Sequence, residues 1–334
     1  MKRLAFAVVP ALVLAAPPAH AHHGVAAVGL SEPEGPGAAL ETTAALPLPK
    51  HFAFAMVKSE FVSFQIRNRA AFPEQKDFSW FNMVALGFGI TPWLSAYVFQ
   101  PYNVKSADGG IGPNPGLGDT NLMLAFGWKW DEGLKLIPQK ESLDELADWH
   151  FLLWASCTLP VGPTEKNDDR GGRFAPDMQT GFGEPSLALG LAVLKQVSTN
   201  FTALAELNQQ RFFTHDYSFT RYRFGAESRV NTAGVYRIHA KGHVRLDGVA
   251  ELLVLNLQRD RQDGGQGSLT ALSASGGTIL YASLGGRLYL GRAAIALGAK
   301  RAVLKSLNEG ADQQGSEGLE NVRLSLSLSV ASPL

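Results

Sequence analysis

From Val322 to Val330 apolar and polar side chains alternate without a slip. Val322, Leu324, Leu326, Leu328 and Val330 share one face, and Arg323, Ser325, Ser327 and Ser329 share the other. A period of two puts successive side chains on opposite sides of a sheet, whereas a helix would spread these leucines around its circumference. One face of this strand suits an apolar solvent and the other suits water. A soluble sandwich would normally carry more charge on the polar face than three serines supply. Aliphatic residues outside and short polar residues inside fit the wall of a transmembrane β-barrel.

The remaining composition supports that reading. Charged residues make up 18% of the 334-residue chain, below the roughly 25% of soluble domains. The 30 basic and 30 acidic side chains cancel, so net charge gives no pull toward nucleic acid. Residues 1–21 read as a signal peptide: Lys2 and Arg3, the apolar run Leu4–Ala16, and Ala19-His20-Ala21 as the cleavage site. Residues 22–50 follow as an irregular periplasmic segment, rich in Pro, Gly, Ala and Glu between Gly29 and Pro49. No later run reaches some 18 apolar residues, so a mature form in a membrane must be a closed barrel, here residues 51–334. The expected address is the outer membrane of a Gram-negative bacterium. Cys157 is the one cysteine; it allows no intramolecular disulfide and reads as a small packing residue.

Twelve strands are expected: Phe52–Ser63, Phe78–Phe88, Leu94–Tyr102, Gly118–Trp130, Trp149–Leu159, Glu184–Lys195, Phe201–Phe212, Phe219–Tyr236, Arg245–Asp260, Thr278–Tyr289, Ala293–Leu304 and Glu320–Ser329. Leu122, Leu124, Phe126, Trp128 and Trp130 share a face, as do Leu280, Ala282, Leu284, Gly286 and Leu288. Short connections follow the second, sixth and tenth strands. Long ones rich in Gly, Asp, Asn and Pro, such as Asn103–Leu117, Pro160–Gly183 and Arg261–Gly277, follow the third, fifth, ninth and eleventh. Short periplasmic turns and long extracellular loops are the outer-membrane pattern. Two connections break the rule: the brief Phe213–Ser218 and the long Asp131–Asp148. The latter holds a capping box, Ser142 with Glu145. Trp128, Trp130, Trp80 and Trp93 are placed for interfacial girdles.

Gly116-Leu117-Gly118-Asp119 and Gly181-Phe182-Gly183-Glu184-Pro185-Ser186-Leu187 each lead into a strand. With Leu159-Pro160-Val161-Gly162 and Gly276-Gly277-Thr278-Ile279-Leu280-Tyr281, the chain resembles the MetA-pathway phenol-degradation family over roughly Phe52–Val330. The resemblance implies an outer-membrane barrel of the transporter type, and passage of small apolar or aromatic compounds. Many outer-membrane proteins end in an aromatic residue, which the assembly machinery reads; this chain ends Ala331-Ser332-Pro333-Leu334.

The densest polar cluster falls on the seventh to ninth predicted strands. Glu206, Asn208, Gln210, Arg221, Arg223, Glu227, Arg229, Arg245, Asp247 and Glu251 are expected to face the lumen. They would either line a solute path or neutralise one another as a buried network, and the balance of signs favours the network. His22 and His23, at the expected mature N-terminus, form a candidate copper-type site. No GxSxG, P-loop or HExxH occurs, so neither an enzyme nor a cofactor is expected. The expected function is a channel or passive transporter for small molecules, with outer-membrane lipid and a solute as partners. An exported metal-binding protein and a plugged structural barrel are the alternatives.

Overall fold

The computed structural model describes residues 35–65, 76–107, 112–142, 145–264, 267–308 and 320–334. The expected signal peptide, His22 and His23 lie outside them. Eighteen strands are formed: β1 (Phe52–Phe64), β2 (Lys76–Thr91), β3 (Leu94–Ala107), β4 (Gly112–Leu117), β5 (Thr120–Trp130), β6 (Leu134–Leu136), β7 (Trp149–Leu159), β8 (Ser186–Ser198), β9 (Phe201–Phe212), β10 (His215–Tyr217), β11 (Thr220–Arg223), β12 (Glu227–Lys241), β13 (Val244–Leu257), β14 (Arg261–Asp263), β15 (Leu269–Ala271), β16 (Gly277–Leu290), β17 (Ala293–Leu307) and β18 (Glu320–Pro333). Twelve of them make a closed antiparallel barrel in the order β1-β2-β3-β5-β7-β8-β9-β12-β13-β16-β17-β18. β1 pairs with β18 from Phe52↔Pro333 to Phe64↔Glu320, which closes the ring and leaves no edge there.

Alternation sorts the side chains. On β18 Leu324, Leu326 and Leu328 are exposed on the outer wall while Arg323 is buried inside. Leu122 and Leu124 of β5, Leu187, Leu189 and Leu191 of β8, and Leu284 of β16 continue the apolar exterior. Trp130 and Trp149 mark one boundary of this band and Trp80 the other, as aromatic rings prefer the interface.

At one rim the hairpins turn through residues 92–93, 199–200, 242–243 and 291–292. The exception is 131–148, which folds back as β6 and then a single 3-10 turn, Glu145–Ala147. The expected capping box is present there: the Ser142 amide donates to Glu145 at 2.8 Å and the Glu145 amide donates to the Ser142 hydroxyl at 3.2 Å. Lys129, buried on the inner wall, donates to Glu145 at 2.9 Å and Asp148 at 3.2 Å. The segment is thus clasped under the barrel.

The Ser142 amide, followed by the Lys129 ammonium, holds the Glu145 carboxyl down at about 2, against an ordinary 4.5. A depressed carboxylate contributes stability above its ordinary value and loses it as pH falls through the folded one. The clasp should therefore persist as pH drops through 4.5 and open near 2. The Glu145 carboxyl carbon should titrate with that midpoint by NMR; an ordinary midpoint would show the clasp to be absent in solution.

The other rim carries the long connections 160–185, 213–226 and 258–276. Here the sequence reading needs correction. Phe219–Tyr236 is not one strand: β11 and β12 are separate, and β10, β11, β14 and β15 form a small sheet above the barrel. The chain breaks at Gly225, whose amide donates to Asp260 at 2.8 Å. Tyr222 and Phe224 alternate with Arg221 and Arg223 as barrel residues would, but their rings pack with Phe212 and Tyr217 at the lumen side of the small sheet above the barrel. The Phe213–Ser218 anomaly disappears, since the connection between β9 and β12 is 213–226.

Candidate functional site: an occupied lumen

Residues 35–49 have no secondary structure of their own, yet Ala38, Ala39, Thr42, Ala45 and Leu48 are almost fully buried. They lie inside the barrel. The segment starts beside the bases of β12 and β13, where Arg237 and Arg245 donate to the Gly35 carbonyl at 3.0 and 2.5 Å. It reaches mid-barrel at Glu41, which meets Lys300 at 2.7 Å. It then descends to Leu48, whose amide donates to Ser95 of β3 at 2.8 Å.

An irregular segment can be buried only if its amides find acceptors. Two wall carboxylates supply them. Glu251 accepts from the amides of Leu40, Glu41 and Thr42 at 3.2, 3.1 and 3.0 Å. Glu206 accepts from the Thr43 amide and hydroxyl at 3.0 and 2.8 Å, and also from Trp154 and Asn231. Arg287 donates to the Ala39 carbonyl at 2.7 Å. The Leu40 side chain lies against Gly285 and Gly298, a cross-strand pair where a methyl group on Gly298 would come within 2.8 Å of it.

The ten residues expected at the lumen divide accordingly. Glu206, Gln210, Glu227, Arg245, Asp247 and Glu251 are buried on the inner wall, and Asn208 and Arg229 share its register. Arg245 pairs with Asp247 at 2.7 Å and Arg229 with Glu227 at 2.5 Å. Arg221 and Arg223 are not among them. They sit on β11 above the barrel, and Arg221 pairs with Asp216. Sequence reasoning missed Lys58, Glu60, Lys300 and Glu320, all buried on the inner face. Arg323 joins Glu60 at 3.0 Å to Glu320 at 2.6 Å, with Lys58 2.8 Å from Glu60. The parity of β1 and β18 carried that signal.

Three of the four motifs that carry the family resemblance meet at the opposite end of the lumen. Asp119 accepts from the Gly162 amide at 2.8 Å and the Phe182 amide at 2.7 Å. Gly181 lies so close to Gly162 that a methyl group would come within 2.2 Å of its carbonyl oxygen, and Gly183 has φ +81°. Phe182 packs on Phe212 and Phe224 at 4.9 and 5.2 Å between ring centroids. Lys105, on the inner wall of β3, donates to the carbonyls of Asp177 and Gln179 at 2.8 and 2.5 Å. Connection 160–185 is thereby drawn over the lumen as a lid. Glu165 of the same connection accepts from the Ser218 amide and hydroxyl.

Replacing Asp119 by alanine strands two buried amides, each worth about 1–3 kcal/mol. The lid should loosen, and the Gly162 and Phe182 amides should lose hydrogen-exchange protection by at least tenfold while barrel amides keep theirs. Unchanged protection would remove Asp119 as the latch.

Between plug and lid lies a cavity of about 100 Å³, lined by Lys58, Glu60, Phe81, Met83, Phe182 and Arg323 among others. Pro101 and Gly118 also line it, and they mark an irregularity in the pairing of the wall. β3 pairs with β4 as far as Tyr102↔Leu117 and with β5 from Phe99↔Asn121. Between these pairs one backbone bond holds the wall, the Gly118 amide donating to the Pro101 carbonyl at 2.9 Å, and on the outer side Gln100 donates to the Pro101 and Gly118 carbonyls and accepts from Thr120 at 2.5 Å. No group of three or more His, Cys, Asp or Glu side chains among the described residues is placed to hold a metal.

The fold is a closed twelve-stranded antiparallel barrel of the outer-membrane type. Over 88% of its length it superposes on the whole of a solved COG4313 outer membrane channel from Pseudomonas putida F1, with TM-score 0.64 and 14% identity. Likeness to the NanC porin (83% of this chain and 98% of that one, TM-score 0.41, 6% identity) and the CymD monoaromatic hydrocarbon channel (86% and 89%, TM-score 0.42, 7% identity) is looser. No family model and no curated protein matches the sequence.

Proposed function

We propose that this protein is an outer-membrane channel of a Gram-negative bacterium that admits small apolar or aromatic molecules, with its two-residue turns in the periplasm. The observation that carries the reading is the cavity held between plug and lid and bordered by the seam of the β3–β5 wall, where a single backbone bond joins Gly118 to Pro101. Twelve strands enclose a narrow lumen compared with the 16 to 18 or so of water-filled porins, and here the plug occupies much of it. A hydrophilic solute would need that plug displaced before crossing. An apolar solute dissolved in the outer leaflet meets Gln100, Pro101 and Gly118 directly, and Phe81, Met83 and Phe182 behind them supply apolar surface. Release toward the periplasm then requires the plug to shift. In that step Gln210, Glu227, Asn208 and Arg229 toward the loop rim, and Glu206, Glu251, Asp247 and Arg245 below them, become the inner-wall lining of the path. The resemblance to the phenol-degradation family agrees with the solute class.

Uptake by porin-deficient cells tests the proposal. Expression should raise accumulation of a small aromatic hydrocarbon several-fold and leave accumulation of a hydrophilic sugar of similar mass unchanged. Equal gains for both would indicate a general pore. No gain for either, in cells with correctly inserted barrel, would favour the plugged structural barrel that the occupied lumen also suggests.

A further inference from the structure

Arginines gather on the outside of the barrel where β9, β12 and β13 reach the loop rim. Arg211 is exposed on the outward row of β9, two residues beyond Gln209 and four beyond the exposed Leu207. Extending the β9–β12 and β12–β13 registers by one residue sets Arg211, Ala226 and Gln258 side by side in that row. Directly above, Arg223 of β11 stands opposite Arg261 of β14. Tyr222 and Phe224 point the other way into the aromatic cluster, so Arg223 takes the outer side of the small sheet. Like charges directly opposed in a sheet are destabilising. Burial, and then the facing Arg261, push the Arg223 guanidinium below its ordinary range.

The side chains enclose a recess of about 260 Å³, lined by Arg211, Phe212, Arg223, Phe224, Gly225, Ala226, Gln258, Arg259 and Arg261. No carboxylate lines it. The nearest in sequence, Asp260, is turned inward onto the Tyr222 hydroxyl at 2.5 Å and the Gly225 amide. The recess is several times the roughly 30 Å³ share of one water, enough for a tetrahedral oxyanion. Guanidinium groups are the side chains suited to bidentate phosphate binding.

We infer that this recess binds the phosphate group of an outer-leaflet glycolipid. The lipid source is favoured over a dissolved phosphate by position. Arg211 continues the same outward row as Leu207, so the guanidinium groups stand where the apolar exterior of the barrel gives way to the headgroup level. Binding there would neutralise the opposed Arg223 and Arg261 and tie the small sheet to the leaflet. It is independent of what the lumen carries.

The test is native mass spectrometry of the full-length protein in detergent. It would be titrated with a bisphosphorylated glycolipid, with the same glycolipid dephosphorylated, and with inorganic phosphate alone. Wild type should retain the phosphorylated glycolipid. Arg211→Gln combined with Arg223→Gln and Arg261→Gln should weaken it at least tenfold. Arg221→Gln, on the same sheet but paired with Asp216, should bind as wild type does. Heat-dependent gel migration confirms that each variant is a folded barrel. Equal affinity for the dephosphorylated glycolipid, or no loss in the folded triple variant, would overturn the site. Inorganic phosphate binding as tightly as the glycolipid would overturn the lipid assignment.

Discussion

Exchanging Glu206→Gln together with Glu251→Gln should convert a barrel of low, flickering conductance into one with large and steady ion conductance. The two carboxylates receive the amides of Leu40, Glu41, Thr42 and Thr43, with the Thr43 hydroxyl as a fifth donor. Hydrogen bonds to a charged group contribute about 1.5–3 kcal/mol each. A carboxamide keeps one acceptor, loses the charge and turns an NH₂ toward groups that are themselves donors. A loss of about 2 kcal/mol at each anchor shifts the seated-to-released ratio of the plug by roughly a thousandfold in all. Glu206 also holds Trp154 and Asn231, so a folding control is needed. Circular dichroism and heat-dependent migration should match wild type. Leu40→Ala should give a smaller change in the same direction, because it empties the notch at Gly285 and Gly298 without touching a charge. If the double variant conducts like wild type, the plug is held by something other than these anchors.

The second large effect is on stability. Arg323 lies inside the barrel between Glu60 and Glu320, and Lys58 closes the cluster from the neighbouring strand. All four are buried. Removing one partner of a buried ion pair leaves the other charge uncompensated, at about 3–5 kcal/mol. Arg323→Ala strands the Glu320 carboxylate and leaves Glu60 to Lys58 alone, where β1 and β18 close the ring, so urea unfolding in lipid vesicles should lose that amount. Arg301→Ala removes an exposed charge from the outer side of β17 and should change stability by less than about 0.5 kcal/mol. Two similar, small losses would mean that water or ions reach the cluster and screen it.

The barrel was legible in the sequence where period two was uninterrupted. Val322–Val330 and Leu122–Trp130 fix the inward face of their strands without further help, and a slip of one residue would bury the wrong set. The same rule misled at Phe219–Tyr236. Tyr222 and Phe224 alternate with Arg221 and Arg223 as if the barrel strand continued, and only Phe224, Gly225 and Ala226 separate the two elements. An aromatic cluster above the barrel imposes the same period as the lumen within it. Lys58, Glu60 and Arg323 were readable from parity alone, although their meeting depends on which strands adjoin.

The plug was not legible. Residues 35–49 have no period because they form no element, and their acceptors lie far away in sequence: Glu206 is 163 residues from Thr43 and Glu251 is 210 from Glu41. The irregularity in the wall is a similar case. Pro101 and the Gly116–Asp119 motif are each visible, but that they face one another across a seam is a fact of register. What the Gly-rich motifs share became evident only when Asp119, Gly162 and Phe182 met at the lid.

The most direct test of the account is uptake across a seam that can be locked. Gln100 and Thr120 stand opposite each other on the outer side of the seam. Gln100→Cys with Thr120→Cys, in a Cys157→Ala background, would place a reversible staple there. Oxidised cells should lose accumulation of the aromatic hydrocarbon and regain it on reduction, while ion conductance through the lumen stays the same in both states. Undiminished uptake with the staple demonstrably closed would contradict entry through the wall and return the path to the loop rim.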